Sequence, residues 1–108
     1  MKEEEALRLV NSFNFSADKA YPLKNEASGR VYWRATNQSE SIILCFLDPS
    51  LGNHNKFIDI SEQLSANDIS GVKVLHHDEK LGITIQNDLG DNDLLKVLSL
   101  RAKLLNEP

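Results

Sequence analysis

The stretch from Gly82 to Asp91 holds the residues best suited to recognise a ligand. A β-branched run leads into a polar, acidic corner made of Asp88, Leu89 and Gly90. Main-chain N–H and C=O groups are strong hydrogen-bonding groups wherever a strand ends and leaves them unpaired. The chemistry expected here is hydrogen bonding by the backbone, in which the side chains matter little. The structural alternative is a plain connection from a strand to a helix, with Asp91 as the helix N-cap.

A second candidate segment is a polar turn between two apolar stretches. Its residues are Asn25, Glu26, Ala27, Ser28, Gly29 and Arg30. A turn of this composition can direct backbone N–H groups at an anion, and Gly29 allows the backbone to approach a ligand closely. The structural alternative is an ordinary hairpin turn.

Other chemistries find little support among the residue types. His76 and His77 are adjacent, so on a strand they point to opposite faces and are poorly placed to bind one metal ion. His54 has no cysteine or histidine at ligand spacing. Cys45, the single cysteine, lies in an apolar stretch and is expected to be an inert buried thiol. We therefore predict no metal site and no catalytic residue.

Composition limits the class of protein. The chain has 108 residues, of which 41% are hydrophobic and 26% are charged, and this suits one globular domain. A formal net charge of -4 gives no basic surface for nucleic acid or an anionic membrane. One cysteine cannot form an internal disulfide, and the acidic N-terminus lacks the apolar core of a signal peptide. We expect a cytoplasmic protein without membrane or nucleic-acid partners.

Hydrophobic periodicity predicts the order helix, three strands, helix, two strands, helix. The predicted elements are helix Glu3–Phe13, strands Ala20–Leu23, Arg30–Thr36 and Ser41–Leu47, helix Lys56–Ala66, strands Val72–His77 and Leu81–Gln86, and helix Asn92–Asn106. This is an α+β chain with a five-stranded antiparallel sheet and flanking helices. Pro22 is compatible with the first strand only if it begins that strand or if the strand lies at the edge of the sheet. Of the neighbours Tyr32 and Trp33, one is expected in the core and the other facing solvent or a partner.

Three segments in this order resemble the aminoglycoside phosphotransferase superfamily. They are Asn25–Arg34, Phe57–Ile60 and Gln86–Asp91. The closest group is the bacterial kinases that phosphorylate the anomeric hydroxyl of the cell-wall sugars N-acetylmuramate and N-acetylglucosamine. The resemblance implies that residues 1–108 are one kinase-like N-lobe, the nucleotide-binding lobe of such an enzyme. It also implies that the Asn25–Arg30 turn covers the phosphates of ATP and that the Asp88–Gly90 backbone holds adenine.

The chain departs from that family at several positions. Asn87 stands where the family's acidic hinge usually begins with glutamate, and Ser41–Leu47 contains no lysine for the phosphates. Glu62, on the helix that carries an ion-pair glutamate in kinases, then lacks its usual partner. Nothing matches the family's catalytic loop or its metal-binding aspartate, so Mg²⁺ is expected only with a complete catalytic lobe. We expect weak nucleotide binding, no activity by this chain alone, and a small-molecule substrate only when a C-lobe is present.

The alternative function is a non-catalytic interaction module or a degenerate kinase fragment. The predicted helix Asn92–Asn106 carries more leucine than one buried stripe needs. An uncovered apolar surface favours association, and a symmetric pair can bury the same surface twice. This alternative predicts a homodimer formed through that helix.

Overall fold

The computed structural model describes residues 1–27, 29–66 and 73–88. The elements are α1 Glu3–Asn11, β1 Lys19–Ala27, β2 Arg30–Thr36, β3 Ser41–Phe46, α2 Asn55–Ala66, β4 Val74–Asp78 and β5 Ile83–Asn87. The strands form one antiparallel sheet in the order β1-β2-β3-β5-β4. This confirms the α+β class and the five-stranded antiparallel sheet. The predicted helix Asn92–Asn106 lies outside the described residues.

One face of the sheet packs against α1, and we call it the helix face. Alternate residues of the inner strands point to this face, among them Trp33, Leu44 and Ile85. Ala6 and Val10, one helical turn apart on α1, are fully buried against them. The three exposed glutamates at the start of α1 suit the positive end of the helix dipole.

The opposite face, which we call the second face, is also buried along the inner strands. Tyr32, Ile43 and Cys45 form a cluster there, and none is more than 2% exposed. Cys45 is thus a buried thiol, as predicted. The expectation that Tyr32 or Trp33 would face solvent or a partner is wrong, because both side chains are buried. Their strand, β2, lies between β1 and β3, and its residues from Tyr32 to Ala35 are all buried.

Strand β1 is longer than the sequence predicted. It continues through Ala27, which pairs with Arg30, so the reversal is tighter than a turn over Asn25–Arg30. Gly29 supplies the positive φ of 79° that a tight reversal requires. Pro22 lies on β1 at the edge of the sheet, where a missing N–H costs no bond to a neighbouring strand.

The reversal between β4 and β5 occurs later than the predicted Asp78–Lys80. Asp78 ends β4, its carbonyl oxygen accepts a hydrogen bond from the Gly82 N–H at 2.9 Å, and its Oδ1 accepts one from the Leu81 N–H at 3.0 Å. Gly82 has a φ of 72°, which closes the turn before Ile83 begins β5. Asp78 thus both ends its strand and caps the turn that follows.

No helix within the described part of the chain is both long enough and apolar enough to cross a membrane.

Gly82 has no room for a side chain. A Cβ placed there would lie 2.0 Å from the carbonyl oxygen of Leu47, in a backbone conformation that disfavours L-residues. We predict that Gly82→Ala lowers the free energy of unfolding by about 3 kcal/mol or more, through conformational strain plus overpacking. Gly29→Ala is the matched control, because a Cβ there meets only side-chain carbons at 3.6 and 3.8 Å. It should cost about 1–2 kcal/mol. Urea denaturation of the two variants measures the difference, and equal losses would contradict this reading of Gly82.

Candidate functional site

The candidate phosphate segment lies where β1 turns into β2. Asn25, Glu26 and Ala27 belong to β1, and Ser28 lies outside the described residues. The Arg30 side chain is buried, and its Nη2 donates a hydrogen bond to the carbonyl oxygen of Asn53 at 3.0 Å. This contact ties the start of β2 to the loop between β3 and α2. The Arg30 guanidinium therefore serves the fold here.

The candidate adenine segment begins at the end of β5, where the structure describes Asp88; Leu89 and Gly90 lie outside the described residues. The Asp88 carboxylate accepts two hydrogen bonds from Arg34, from Nε at 2.7 Å and from Nη2 at 3.1 Å. The hydroxyl of Ser41 donates to the same carboxylate. The side chains of Arg34 and Asp88 are only 11% and 9% exposed. Paired, charge-assisted hydrogen bonds of this kind are strong and fix the orientation of both groups.

Sequence reasoning missed this ion pair, because it predicted a role only for the main chain of Asp88 and none for its side chain. The signal was present in the alternation along two strands. Arg34 follows Tyr32 at a two-residue step on β2, and Asp88 follows Gln86 at the same step along β5. Both side chains therefore fall on the second face. That they meet, however, depends on β3 lying between β2 and β5, and the sequence pattern does not specify that order.

The two candidate segments lie at opposite ends of the sheet. Phe46 of β3 pairs with Ile83 at the start of β5 and with Val31 of β2, which follows the β1–β2 turn. Asp88 lies five residues further along, a distance of about 17 Å in an extended strand. A single ligand can contact both segments only by lying along the strands.

The second face runs between those two segments and is closed. The side chains of Thr84 and Gln86 on β5 are buried, and Gln86 Nε2 donates to Thr84 Oγ1 at 3.1 Å. Tyr32 and Cys45 occupy the same face on the neighbouring strands and are also buried. Because these side chains are buried, a ligand lying along this face has to displace the groups that cover them.

A shallow pocket is present elsewhere, between the start of α2 and the β4–β5 hairpin. It is lined by Asn53, His54, Asn55, Ile58, His77, Asp78, Glu79 and Ile83. His54 is buried, and its Nε2 lies 2.9 Å from the Gly82 carbonyl oxygen. A carbonyl can only accept, so this nitrogen carries the proton. This hydrogen bond holds the β4–β5 turn against the residue that precedes α2.

The described histidines, cysteine and carboxylates do not form a group of three or more that could hold a metal ion. His76 stacks on Phe13 with ring centroids 5.2 Å apart, whereas His77 lines the pocket. The two histidines thus face different surroundings, in agreement with the alternation expected on a strand. Asp59 and Glu62 on α2 are exposed.

Asp48 begins the loop that supports the β1–β2 turn. Its Oδ1 accepts hydrogen bonds from the Ser50 N–H and the Ser50 hydroxyl, each at 2.9 Å. These bonds, first the backbone one and then the side-chain one, hold the pKa of the Asp48 carboxyl below its usual 3.8.

Comparison of the chain with protein-family models, with curated proteins and with solved structures found no match. The functional assignment therefore depends on the residues and geometry described above.

The buried Arg34–Asp88 pair should matter far more to stability than an exposed one. Asp88→Asn leaves the Arg34 charge buried without its counter-charge. We predict a loss of about 3–5 kcal/mol in the free energy of unfolding. The control is Glu5→Gln, which removes an exposed ion pair with Arg8 at 3.8 Å and should cost less than about 1 kcal/mol. Chemical denaturation of both variants provides the measurement, and a loss below about 1 kcal/mol for Asp88→Asn would refute the assigned role.

The lowered pKa of Asp48 predicts a pH effect of defined sign. Because the folded-state pKa lies below the unfolded value, the ionised carboxylate stabilises the fold above the unfolded pKa, and this stabilisation is lost as pH falls through the folded pKa. Ser50→Ala removes one of the two donors, so the pKa of Asp48 should rise toward its usual value. Carboxyl carbon chemical shifts followed through an acid titration measure the change. Ser50→Thr keeps the hydroxyl and should leave the pKa lowered, so an equal rise in both variants would argue against the hydroxyl.

Proposed function

We propose that this chain is the nucleotide-binding N-lobe of a kinase-like phosphotransferase that acts on an amino sugar or another small hydroxyl compound. The observation that supports it best is the chain path. A helix precedes a three-stranded antiparallel meander, α2 follows β3, and β5 returns to pair with β3 while β4 lies outside it. This is the order of elements implied by the resemblance of Asn25–Arg34, Phe57–Ile60 and Gln86–Asp91 to the aminoglycoside phosphotransferase superfamily.

In this proposal ATP lies along the strands. Adenine hydrogen-bonds to the backbone of the Asp88–Gly90 segment, and the phosphates reach the Asn25–Arg30 segment at the other end of the sheet. The separation of about 17 Å suits an extended nucleoside triphosphate rather than a compact ligand. The ion pair from Asp88 to Arg34 holds the start of the adenine segment at the end of β5.

Phosphate binding is expected to be weak in this arrangement. Strand β3 carries no lysine, and the Arg30 guanidinium is bound to Asn53 within the fold. Backbone N–H groups and the permissive conformation at Gly29 remain as the means of contacting an anion. Mg²⁺ would be held by a complete catalytic lobe and is assigned no ligand among the residues described here.

One observation favours the alternative, an interaction module without catalytic function. The second face between the two candidate segments is closed, with Tyr32, Thr84 and Gln86 at most 2% exposed. Because this face belongs to the buried core, it offers little accessible surface to a nucleotide. The alternative predicts that ATP leaves the chain unchanged.

Amide chemical shifts of isotope-labelled protein, titrated with ATP, distinguish the two functions. Our proposal predicts fast-exchange shifts that appear together near Gly29 and near Asp88, with a dissociation constant of about 0.1–1 mM or weaker. Glu5→Gln, on the exposed surface of α1, should bind equally well. Titration with inorganic triphosphate should move only the Gly29 region. Absence of any shift, or shifts confined to the pocket around His54 and His77, would exclude the proposed site.

A further inference from the structure

The two edges of the sheet are protected to different degrees. The β1 edge carries Pro22, which has no N–H to offer, and the pairing register of β1 is interrupted between Leu23 and Ala27. Both features discourage the addition of another strand. The other edge is β4, which pairs with β5 on one side, and no strand among residues 1–27, 29–66 and 73–88 covers its other side.

The side chains along β4 are open to solvent. Leu75, His76 and His77, the three central residues of the strand, are all exposed, and Leu75 is 47% exposed. The start of the strand is held in place, because Lys73 and Asn87 exchange hydrogen bonds. The Lys73 N–H donates to Asn87 Oδ1 at 2.7 Å, and the Asn87 N–H donates to the Lys73 carbonyl at 3.2 Å. Within the described part of the chain, the β4 edge is therefore accessible and fixed in position.

The charges that flank β4 have opposite signs at its two ends. Lys73 precedes the strand, whereas Asp78 ends it and Glu79 follows, and both Lys73 and Glu79 are exposed. An antiparallel second copy related by a two-fold axis at His76 places each Lys73 opposite the partner's Glu79. Opposite charges therefore meet at both ends of the paired strands, and the same pair occurs twice.

We propose that the β4 edge is an interaction surface for a second copy of this chain. The two β4 strands pair antiparallel about a two-fold axis and join the two sheets into one. Because β4 has five residues and its register is irregular between Val74 and His76, the contact is short and the association weak. The symmetric pairing joins the β4 edge of one copy to the β4 edge of the other, so neither edge remains open and assembly stops at two copies. This interface differs from the Asn92–Asn106 helix and does not depend on nucleotide binding.

Sedimentation equilibrium of the full chain between about 10 μM and 1 mM tests the interface, since a weak dimer has a dissociation constant in that range. Lys73→Glu and Glu79→Lys should each raise the dissociation constant at least about tenfold, because each converts two attractive pairs into repulsive ones. The double variant reverses both signs and should return to within about threefold of the original value. Glu4→Lys, an equal change of charge on the exposed face of α1, is the control and should have little effect.

Amide hydrogen exchange provides an independent measurement. Amides of β4 should exchange more slowly in concentrated than in dilute protein, while those of β1 should not change. A monomer at every concentration would overturn the proposal. A dimer that both charge reversals leave intact, but that Leu98→Lys with Leu105→Lys dissociates, would place the interface on the C-terminal segment. Circular dichroism confirms that each variant is folded before its association is compared.

Discussion

The Asp88 carboxylate is removed from water at the end of β5, and a buried charge is stable only when it is paired and hydrogen-bonded. Arg34 and Ser41 meet that requirement, from β2 and from the start of β3. The three residues can meet only if β3 lies between β2 and β5 and the register of both pairings is kept. A one-residue slip would turn each side chain to the helix face, where Trp33, Leu44 and Ile85 pack against α1. The ion pair and the apolar alternation therefore specify the same register.

Local features of the sequence predict the elements well and their ends less well. The aromatic and β-branched residues of Arg30–Thr36 predicted a strand, and the near-continuous apolar run Ser41–Leu47 predicted a central one. Pro22 correctly indicated an edge. The turns were displaced because a glycine with a positive φ fixes where each of them closes. The first reversal occurs at Gly29 and the second at Gly82. The polar residues before Gly29 continue β1, whereas Asp78, before Gly82, caps its turn. Composition marks where a turn can occur, while backbone conformation decides which residues form it.

The candidate site shows a different limit. The segment around Gly29 and the segment around Asp88 were predicted from local patterns, but their position at opposite ends of the sheet follows from strand order. The role of the Asp88 side chain could not be predicted, because its partner Arg34 is 54 residues away along the chain. The burial of Tyr32, Thr84 and Gln86 was likewise not evident, since polar residues on a strand usually indicate a solvated face. Nucleotide binding remains a prediction drawn from the resemblance and from the order of the elements.

The crossover that places β5 beside β3 has a consequence for the order in which the chain folds. Strands β1, β2 and β3 are joined by short reversals, and such local contacts close quickly with little loss of chain entropy. Strand β5 reaches β3 only after α2 and β4 have been made, so this pairing closes a much longer loop. Until then β3, the most apolar strand, has one edge without a partner. During synthesis the meander can form first, and the apolar edge of β3 stays exposed to other chains until Ile83–Asn87 arrives.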